Sequence, residues 1–295
     1  MSRDVIFDIE ARPVPEPLVG YNKVASIYEL RQLGLPTLNG IVVTAWNNAV
    51  ARQVSDYIAK QGWPQIMVRS DKRPETLDNP RGGYLFDIHS LPEVLAPLFA
   101  AGRIVILLEP ANRYDNLYGI NALFSSGSDE VVLEVVGPGF DVTDINRGDL
   151  SPHERIDIAI RNERVRARVL RRTQVTQAEY EDSVFHRLTK IGREVLSRQG
   201  IAKEWSTHST DLKTVGWDFL QESGYSLLNR SQYKPLPDAY LVRLVGYLRD
   251  LPWRIAETGA DTHYATSVSL LRPSEAPRFI FWDVVRPSRK YAVPT

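Results

Sequence analysis

Residues 18–46, LVGYNKVASIYELRQLGLPTLNGIVVTAW, constrain the fold more than any other stretch of the chain. A turn at Gly20 leads into a short helix that Gly34 ends, because glycine is favoured just after the last turn of a helix. A β-branched run at residues 41–44 then predicts a buried strand. Lys23 lies beside the glycine turn and the helix start, where a phosphate is readily bound. The predicted apolar face of the helix consists of Ala25, Ile27, Leu30, Leu33 and Leu35.

The composition is typical of a soluble globular protein. The 295 residues are 43% hydrophobic and 24% charged, and 36 basic residues balance 36 acidic ones. This balance gives no net field that would favour nucleic acid or anionic lipid. The absence of cysteine excludes disulfides, thiol catalysis and cysteine-ligated metals. No stretch has the pattern of a signal peptide or a membrane span, so we expect a cytoplasmic protein that binds neither membrane nor nucleic acid.

Helices and strands alternate up to residue 108, which predicts an α/β lobe. The polar, proline-containing segment 109–119 follows a buried strand, as a hinge between lobes would. We therefore expect two lobes, residues 1–108 and residues 109–295. The predicted elements that complete the first lobe are helices at 47–61 and 91–101 and strands at 65–70, 84–89 and 104–108.

The second lobe is predicted to combine antiparallel strands with longer helices. Strands at 118–124 and 130–136 form an adjacent pair, and the longest helical pattern covers 174–198. His153 is expected at the surface, at the beginning of a helix. The segment 206–237 matches no pattern and should hold much of the substrate selectivity. The remaining predicted elements are a helix at 240–251 and strands at 265–271 and 278–285.

The opening segment resembles the start of the nucleotide-binding domain of phosphoenolpyruvate synthases and pyruvate phosphate dikinases, a branch of the ATP-grasp fold. The pattern of that family reads roughly G-G-K-x-x-x-L-x-E-L-x-x-x-G-L-x-V-P-x-G-F-V-V-T. Asn22 replaces its second glycine and Ile41 its phenylalanine. The resemblance implies an α/β (α+β), two-lobed ATP-grasp fold that binds ATP and Mg²⁺ in the cleft between the lobes. The matching residues are Gly20, Lys23, Glu29, Leu30, Gly34, Leu35, Pro36, Gly40, Val42, Val43 and Thr44.

The resemblance also implies which cations would meet the phosphates of ATP. Lys23 is the first, although a lysine in a turn is otherwise commonly a solvated surface residue. Arg69, at the end of a predicted strand, corresponds to the arginine of a V-R-S-S motif in the family. A surface ion pair is the alternative interpretation of this arginine.

The adenosine part of ATP would lie against the predicted hinge. Glu109 would accept a hydrogen bond from the exocyclic amine of adenine, and the backbone at Ala111 would meet the ring edge. Asp115 or Asn116 would then reach a ribose hydroxyl. A solvated loop is the alternative for all four residues.

Four charged residues of the second lobe complete the implied site. Glu134 approximates the glutamate of an E-x-x-x-G-x-G motif, although a solvent-facing glutamate is common in a half-exposed sheet. Arg147, in the loop beyond, would grip a phosphate or a substrate carboxylate. Asp283 would bind the metal and Arg286 the phosphates, as the polar residues of the last family strand do.

One departure from the family concerns the strand before Asp283. The family carries an acidic metal ligand there, as in D-I-E, whereas this chain has Thr266, Ser267 and Ser269. Glu257, Asp261 or Glu134 would have to supply the missing oxygen if the Mg²⁺ site is intact.

The function implied is transfer of the γ-phosphoryl group of ATP to an acceptor. A substrate carboxylate would give an acyl phosphate that an amine captures, which defines a carboxylate–amine ligase. A small-molecule hydroxyl, or a histidine on a separate phosphohistidine carrier protein, would define a phosphotransferase. The missing acidic residues favour a third alternative, a non-catalytic nucleotide-binding protein.

Overall fold

The structure is a computed structural model of the chain. It describes residues 5–10, 14–73, 84–111, 116–125, 128–140, 142–146, 148–160, 168–198, 209–222, 232–249, 251, 263–271 and 277–285. Two compact units are present, and each contains an antiparallel sheet. The first unit comprises Met1–Asn112 and Ile280–Val285, and the second comprises Arg113–Phe279 and Arg286–Thr295. The expected boundary after residue 108 falls inside the first unit. The predicted mixed α/β class is confirmed.

Helices and strands follow one another along the whole described chain. The helices are α1 (Asn22–Gln32), α2 (Asn48–Gln61), α3 (Leu91–Ala100), α4 (Val142–Asn146), α5 (Gln177–Arg198), α6 (Ser209–Glu222) and α7 (Asp238–Leu248). The strands are β1 (Ile6–Asp8), β2 (Gly40–Val43), β3 (Gln65–Asp71), β4 (Tyr84–Asp87), β5 (Ile104–Leu108), β6 (Asn116–Ser125), β7 (Glu130–Val136), β8 (Glu154–Ala159), β9 (Arg168–Gln174), β10 (His263–Leu271) and β11 (Arg278–Val285).

The first unit has a five-stranded sheet of order β1-β2-β5-β3-β4, whose recorded pairs are antiparallel. Side chains from alternate positions of β2, β3 and β5 point to one face, where α2 and α3 cover them. Asn47 caps α2, because its Oδ1 accepts hydrogen bonds from the amides of Ala49 and Val50 at 2.9 and 3.0 Å. Gly62 ends the helix with a φ of 67°. The resulting core contains Ile41, Val43, Val50, Val54, Ile58, Ile66, Val68, Leu91, Leu95, Val105 and Leu107.

The opening helix is confirmed, but its buried face differs from the predicted one. Val24, Ile27, Tyr28 and Leu30 are buried in α1, whereas Ala25 is exposed. Tyr28 belongs to the buried face because the Tyr28 hydroxyl donates a hydrogen bond to the backbone oxygen of Asp8, at 2.7 Å. Burial and the nearby Asp8 carboxylate raise the pKa of Tyr28 to about 12. The buried face of α1 therefore includes Tyr28, which the apolar pattern of the sequence does not predict.

The second sheet has six strands in the order β11-β10-β6-β7-β8-β9. The predicted antiparallel pair is confirmed as β6 and β7, with Gly119 opposite Val136. Strands β8 and β9 were not predicted. Their pairing contains an irregularity between Asp157 and Ile158, which breaks the alternation of side chains.

The longest helix, α5, begins three residues later than the pattern predicts, because Gln174 ends β9. Thr176 and Glu179 form a capping box at the true start. The Glu179 carboxylate accepts hydrogen bonds from the amide and hydroxyl of Thr176 at 2.7 and 2.8 Å, and the Thr176 hydroxyl accepts one from the Glu179 amide. The segment 206–237 contains α6, which lacks a clear pattern in the sequence.

Helices α5 and α6 cross in close contact at two glycines. A Cβ atom added at Gly192 would lie 1.9 Å from the backbone oxygen of Leu212, and one at Gly216 would lie 2.1 Å from that of Leu188. The two backbones therefore approach within a distance that only glycine allows. The crossing supports a core that contains Tyr180, Val184, Leu188, Ile191 and Leu220.

We predict that Gly192→Ala lowers the free energy of unfolding by about 3 kcal/mol, because the added methyl group forces the two helices apart. Urea unfolding followed by circular dichroism measures this change. The control is Gly246→Ala on α7, where an added Cβ meets nothing within 4 Å. That variant should raise the free energy of unfolding by up to about 1 kcal/mol. Equal stabilities of the two variants would contradict the close crossing.

Candidate functional site

Lys23 lies at the first turn of α1, against the end of β3. Its Nζ donates a hydrogen bond to the backbone oxygen of Ser70 at 2.6 Å. The amides of Lys23 and Val24 donate to Oδ2 of Asp71, at 2.8 and 3.4 Å. Asp71 is completely buried, so its carboxylate acts as the cap of the helix. Because Asp71 already engages these amides, phosphate recognition here would come from the Lys23 ammonium rather than from the helix N-terminus.

Arg69 lies two residues before Asp71 on β3 and is 6% exposed. One of its terminal nitrogens donates to the backbone oxygen of Trp282 at 3.4 Å, and its guanidinium carbon lies 5.8 Å from the centre of the Trp282 ring. Arg69 is therefore buried rather than at the surface, where the alternative interpretation of a surface ion pair would put it. The burial and the tryptophan contact hold the guanidinium in one position.

Arg73 adds a third cation, which the sequence analysis did not select. Its guanidinium carbon lies 4.2 Å from the centre of the Tyr21 ring, and it donates to the backbone oxygen of Pro17. Its Nε would lie 3.1 Å from a Cβ at Gly20, whose φ of 89° also favours glycine. We name Lys23, Arg69, Asp71 and Arg73 the cationic corner, since it combines three cations with one carboxylate. A field of this sign suits phosphate.

Glu109 and Ala111 follow β5 in the first unit. The amide of Glu109 donates to the backbone oxygen of Asn39 at 2.8 Å, and its Oε1 accepts from the Asn39 amide at 3.2 Å. This double contact extends the pairing of β2 and β5 by one residue. Ala111 is buried. These contacts order the backbone at the position predicted to meet adenine, and the adenine role itself stays a prediction.

Asn116 begins β6 in the second unit and is 3% exposed. Its Nδ2 donates to the backbone oxygen of Phe140 at 3.4 Å, and its backbone oxygen accepts from the Gly139 amide at 3.0 Å. Its buried Oδ1 has no hydrogen-bond partner in the part of the chain that the structure describes. A buried oxygen without a donor is unfavourable, so this atom suits a ligand donor such as a ribose hydroxyl.

Glu134 lies on β7 and is half-buried rather than fully exposed. It lies opposite Asn121 on β6 and Arg155 on β8, so the three residues share one face of the sheet. Asn121 donates to Oδ1 of Asn146 at 2.7 Å. A polar row therefore crosses three strands. The alternation of β6 and β8 was the signal that could have identified Asn121 and Arg155.

The other predicted site residues lie wholly or partly outside the described residues. Arg147 and Arg286 are among them, and for Asp283 only the backbone position on β11 is described. Ser269 on β10 is 3% exposed, at a position where the family has a carboxylate nearby. Within the described ranges, no group of three His, Asp or Glu side chains is arranged to hold a metal ion.

His153 was predicted at the surface at a helix start, and this prediction is wrong. It directly precedes β8, is 1% exposed and packs edge-on against Phe140, with ring centres 4.4 Å apart. Its Nδ1 accepts a hydrogen bond from the Gly137 amide at 3.1 Å, so the proton of the neutral ring is on Nε2. Nε2 donates to the hydroxyl of Ser183 at 2.9 Å. Burial lowers the pKa of His153 to about 4.

Glu154, the next residue, organises a second buried polar group that sequence analysis missed. The side chain is completely buried and forms an ion pair with Arg172 on β9. Its Oε2 accepts hydrogen bonds from the Tyr233 hydroxyl at 3.1 Å and from the Leu236 amide at 3.0 Å. Arg172 also donates to the backbone oxygen of Leu236 and to Asp238. The end of the segment expected to hold substrate selectivity is thereby attached to the sheet.

Comparisons with known proteins give weak similarities. No protein-family model and no curated protein matches the chain. D-alanyl-alanine synthetase A from Vibrio cholerae is 8% identical in sequence, and the TM-score is 0.42. The match covers 90% of this chain and 55% of the synthetase. The ATP-grasp ligase PsnB, complexed with a minimal precursor, is 7% identical, with a TM-score of 0.30, over 87% of this chain and 48% of its own.

D-alanine–D-alanine ligase from Bacillus anthracis is 14% identical, with a TM-score of 0.27, over 70% of each chain. The chain thus spans about half the length of the synthetase and of PsnB. Similarities as low as these do not decide the fold or the activity of the chain. In the described part of the chain, no helix has the length and hydropathy needed to span a bilayer.

We predict that His153 makes the protein lose stability in mild acid. Its pKa is 6.5 in the unfolded chain and about 4 in the folded one, so the unfolded state binds more protons between these values. The contribution of neutral His153 to the free energy of unfolding is therefore fully present above pH 6.5. It is lost as the pH falls toward 4, and the total loss is about 3 kcal/mol. His153→Asn keeps an acceptor for the Gly137 amide but cannot be protonated, so it should remove this part of the pH dependence.

Urea unfolding at a series of pH values measures the effect. His186→Asn is the matched control, because it makes the same exchange at an exposed position of α5. If the free energy of unfolding of His153→Asn depends on pH in the same way as that of the wild type, the claim that His153 is buried in its neutral form is refuted.

Proposed function

We propose that this chain is an ATP-grasp-type enzyme that binds ATP and activates a substrate carboxylate for capture by an amine. The observation that carries the proposal is the cationic corner. Lys23 and Arg69 were selected from separate parts of the sequence as phosphate contacts, and both lie at the same end of β3. Contacts with Ser70 and Trp282 hold them there, which is the preorganisation that recognition of a polyphosphate requires.

The proposed chemistry begins with attack of a substrate carboxylate oxygen on the γ-phosphorus of ATP. The bond from that phosphorus to the β,γ-bridging oxygen breaks, and ADP leaves. An amine then attacks the acyl carbon, the phosphate leaves, and the amine nitrogen loses a proton as the amide forms. Phosphoryl transfer depends mainly on positioning and charge neutralisation, so Lys23 and Arg69 would bind phosphate oxygens throughout. Arg147 and Arg286 would hold the substrate carboxylate and the transferred phosphoryl group.

Residues without positive charge would bind the nucleoside part of ATP. Glu109 would accept a hydrogen bond from the adenine amine beside the backbone of Ala111. Asn116 would accept one from a ribose hydroxyl through its buried Oδ1, which no described donor satisfies. Glu134 would be a further residue that binds the nucleotide. Asp283 would be the protein ligand of Mg²⁺.

Two further functions are favoured by specific observations. The resemblance of residues 18–46 to phosphoenolpyruvate synthases favours a phosphotransferase that acts on a hydroxyl or with a separate phosphohistidine carrier. The buried Ser269, near the position where that family has an acidic ligand, favours a nucleotide-binding protein without turnover.

We predict that the chain binds ATP and that Lys23→Ala weakens this binding about tenfold or more, since a charge-assisted hydrogen bond to phosphate is lost. Isothermal titration calorimetry, with and without Mg²⁺, measures the dissociation constant. Lys60→Ala is the matched control, because Lys60 is an exposed lysine on α2 that does not belong to the cationic corner. Absence of ATP binding to the wild-type chain, or equal weakening by both variants, would refute the proposed nucleotide site.

We predict that turnover, where an acceptor is found, produces ADP and inorganic phosphate in equal amounts. Chromatography of the nucleotides after incubation with ATP, Mg²⁺ and pairs of amino acids or short peptides measures the products. Arg69→Gln should lower the rate about a hundredfold, because a preorganised phosphate donor is removed. Arg52→Gln, on the exposed face of α2, is the control. Formation of AMP with phosphate would instead identify a dikinase, and tight binding without turnover would identify a binding protein.

A further inference from the structure

Strand β9 is the terminal strand of the six-stranded sheet and is almost fully exposed. It pairs with β8 on one side only, so the backbone N–H and C=O groups of its other side have no strand partner among the described elements. Such an edge is a template on which another extended chain can form hydrogen bonds. The edge belongs to neither the cationic corner nor the polar row of Asn121, Glu134 and Arg155.

The strand exposes two adjacent apolar side chains. Val169 is 42% exposed and Leu170 is 48% exposed, and together they are half of the large hydrophobic residues that are exposed in the described part of the chain. Charges are one of the devices by which proteins protect an edge from pairing, and exposed apolar side chains are not among these devices. Exposed apolar residues on an open edge are expected where a partner covers them.

The charge of the strand indicates the chemistry of that partner. Arg168 and Arg171 are exposed, and neither forms an ion pair with any residue that the structure describes. The carboxylate opposite Arg171 belongs to Asp157, which is engaged by Arg155 at 3.1 Å. In contrast, Arg172 is held by Glu154 and Asp238. A chain without net charge therefore presents two unmatched arginines on one exposed edge.

We propose that β9 is a docking strand that binds an extended, acidic peptide segment of a partner polypeptide by adding it to the edge of the sheet. Backbone hydrogen bonds would provide the affinity. The carboxylates of the peptide would pair with Arg168 and Arg171, and its apolar side chains would cover Val169 and Leu170. Nucleic acid is the other polyanion that arginines bind, but β9 contains no aromatic residue on which a base could stack.

The test uses fluorescence anisotropy with the full chain and a labelled octapeptide that alternates glutamate and valine. We expect saturable binding that Arg168→Glu combined with Arg171→Glu weakens roughly tenfold or more, because two attractive pairs become repulsive. The matched control combines Lys60→Glu with Arg193→Glu, which changes the net charge equally at two exposed helical positions. Circular dichroism establishes that both variants are folded. A variant that combines Arg168→Gln with Arg171→Gln removes the two positive charges without reversing them, so it should weaken binding less.

Two further probes separate strand addition from simple charge attraction. The same octapeptide with alternate amides methylated keeps its charge but cannot form the strand hydrogen bonds, so it should bind at least roughly tenfold more weakly. Hydrogen exchange should show that the unmodified peptide protects amides within residues 168–174. Equal binding of the methylated peptide, absence of protection, no binding of the acidic peptide, or tighter binding of a single-stranded oligonucleotide of the same length would each overturn the proposal.

Discussion

The buried carboxylate of Asp71 is the interaction on which the arrangement of the first unit depends. It accepts hydrogen bonds from the amides at the start of α1 and thereby joins that helix to the end of β3. A completely buried carboxylate is costly unless charged or hydrogen-bonding groups surround it. Lys23, Arg69 and Arg73 provide the positive charge nearby, and the same charges make this end of β3 suitable for phosphate. Stability and the proposed function therefore share one electrostatic cause.

The second unit satisfies its buried polar groups in a different way. Glu154 combines an ion pair with hydrogen bonds to Tyr233 and Leu236, and His153 remains neutral between a backbone amide and a serine hydroxyl. These groups hold α5 and the 233–236 segment against the sheet. Asn116 contrasts with them, because its buried Oδ1 lacks a partner among the described residues. A buried oxygen of this kind calls for an explanation, and a bound ligand is one.

Two neighbouring strands show how differently the faces of one sheet can be used. Strand β8 alternates between buried residues, such as Ile156, and partly exposed charges, such as Asp157. Strand β9, which pairs with it, exposes both apolar and basic side chains along its length. Arg172 is the exception, because Glu154 draws it back over the sheet. The other side chains of β9 stay exposed, and the apolar ones among them, Val169 and Leu170, are not needed to keep an edge from aggregating.

Local patterns in the sequence determined much of the fold. The glycine turn and stop around α1, the apolar run of β5 and the alternation of β6 and β7 each depend on neighbouring residues, so they could be predicted. The same holds for the choice of Lys23 and Arg69 as candidate phosphate contacts. Only the tertiary structure decided that Asp71 caps α1, that His153 is buried and that α5 and α6 cross at Gly192. Each of these depends on contacts between residues distant in sequence, such as Lys23 with Asp71 and His153 with Ser183, which no local periodicity encodes.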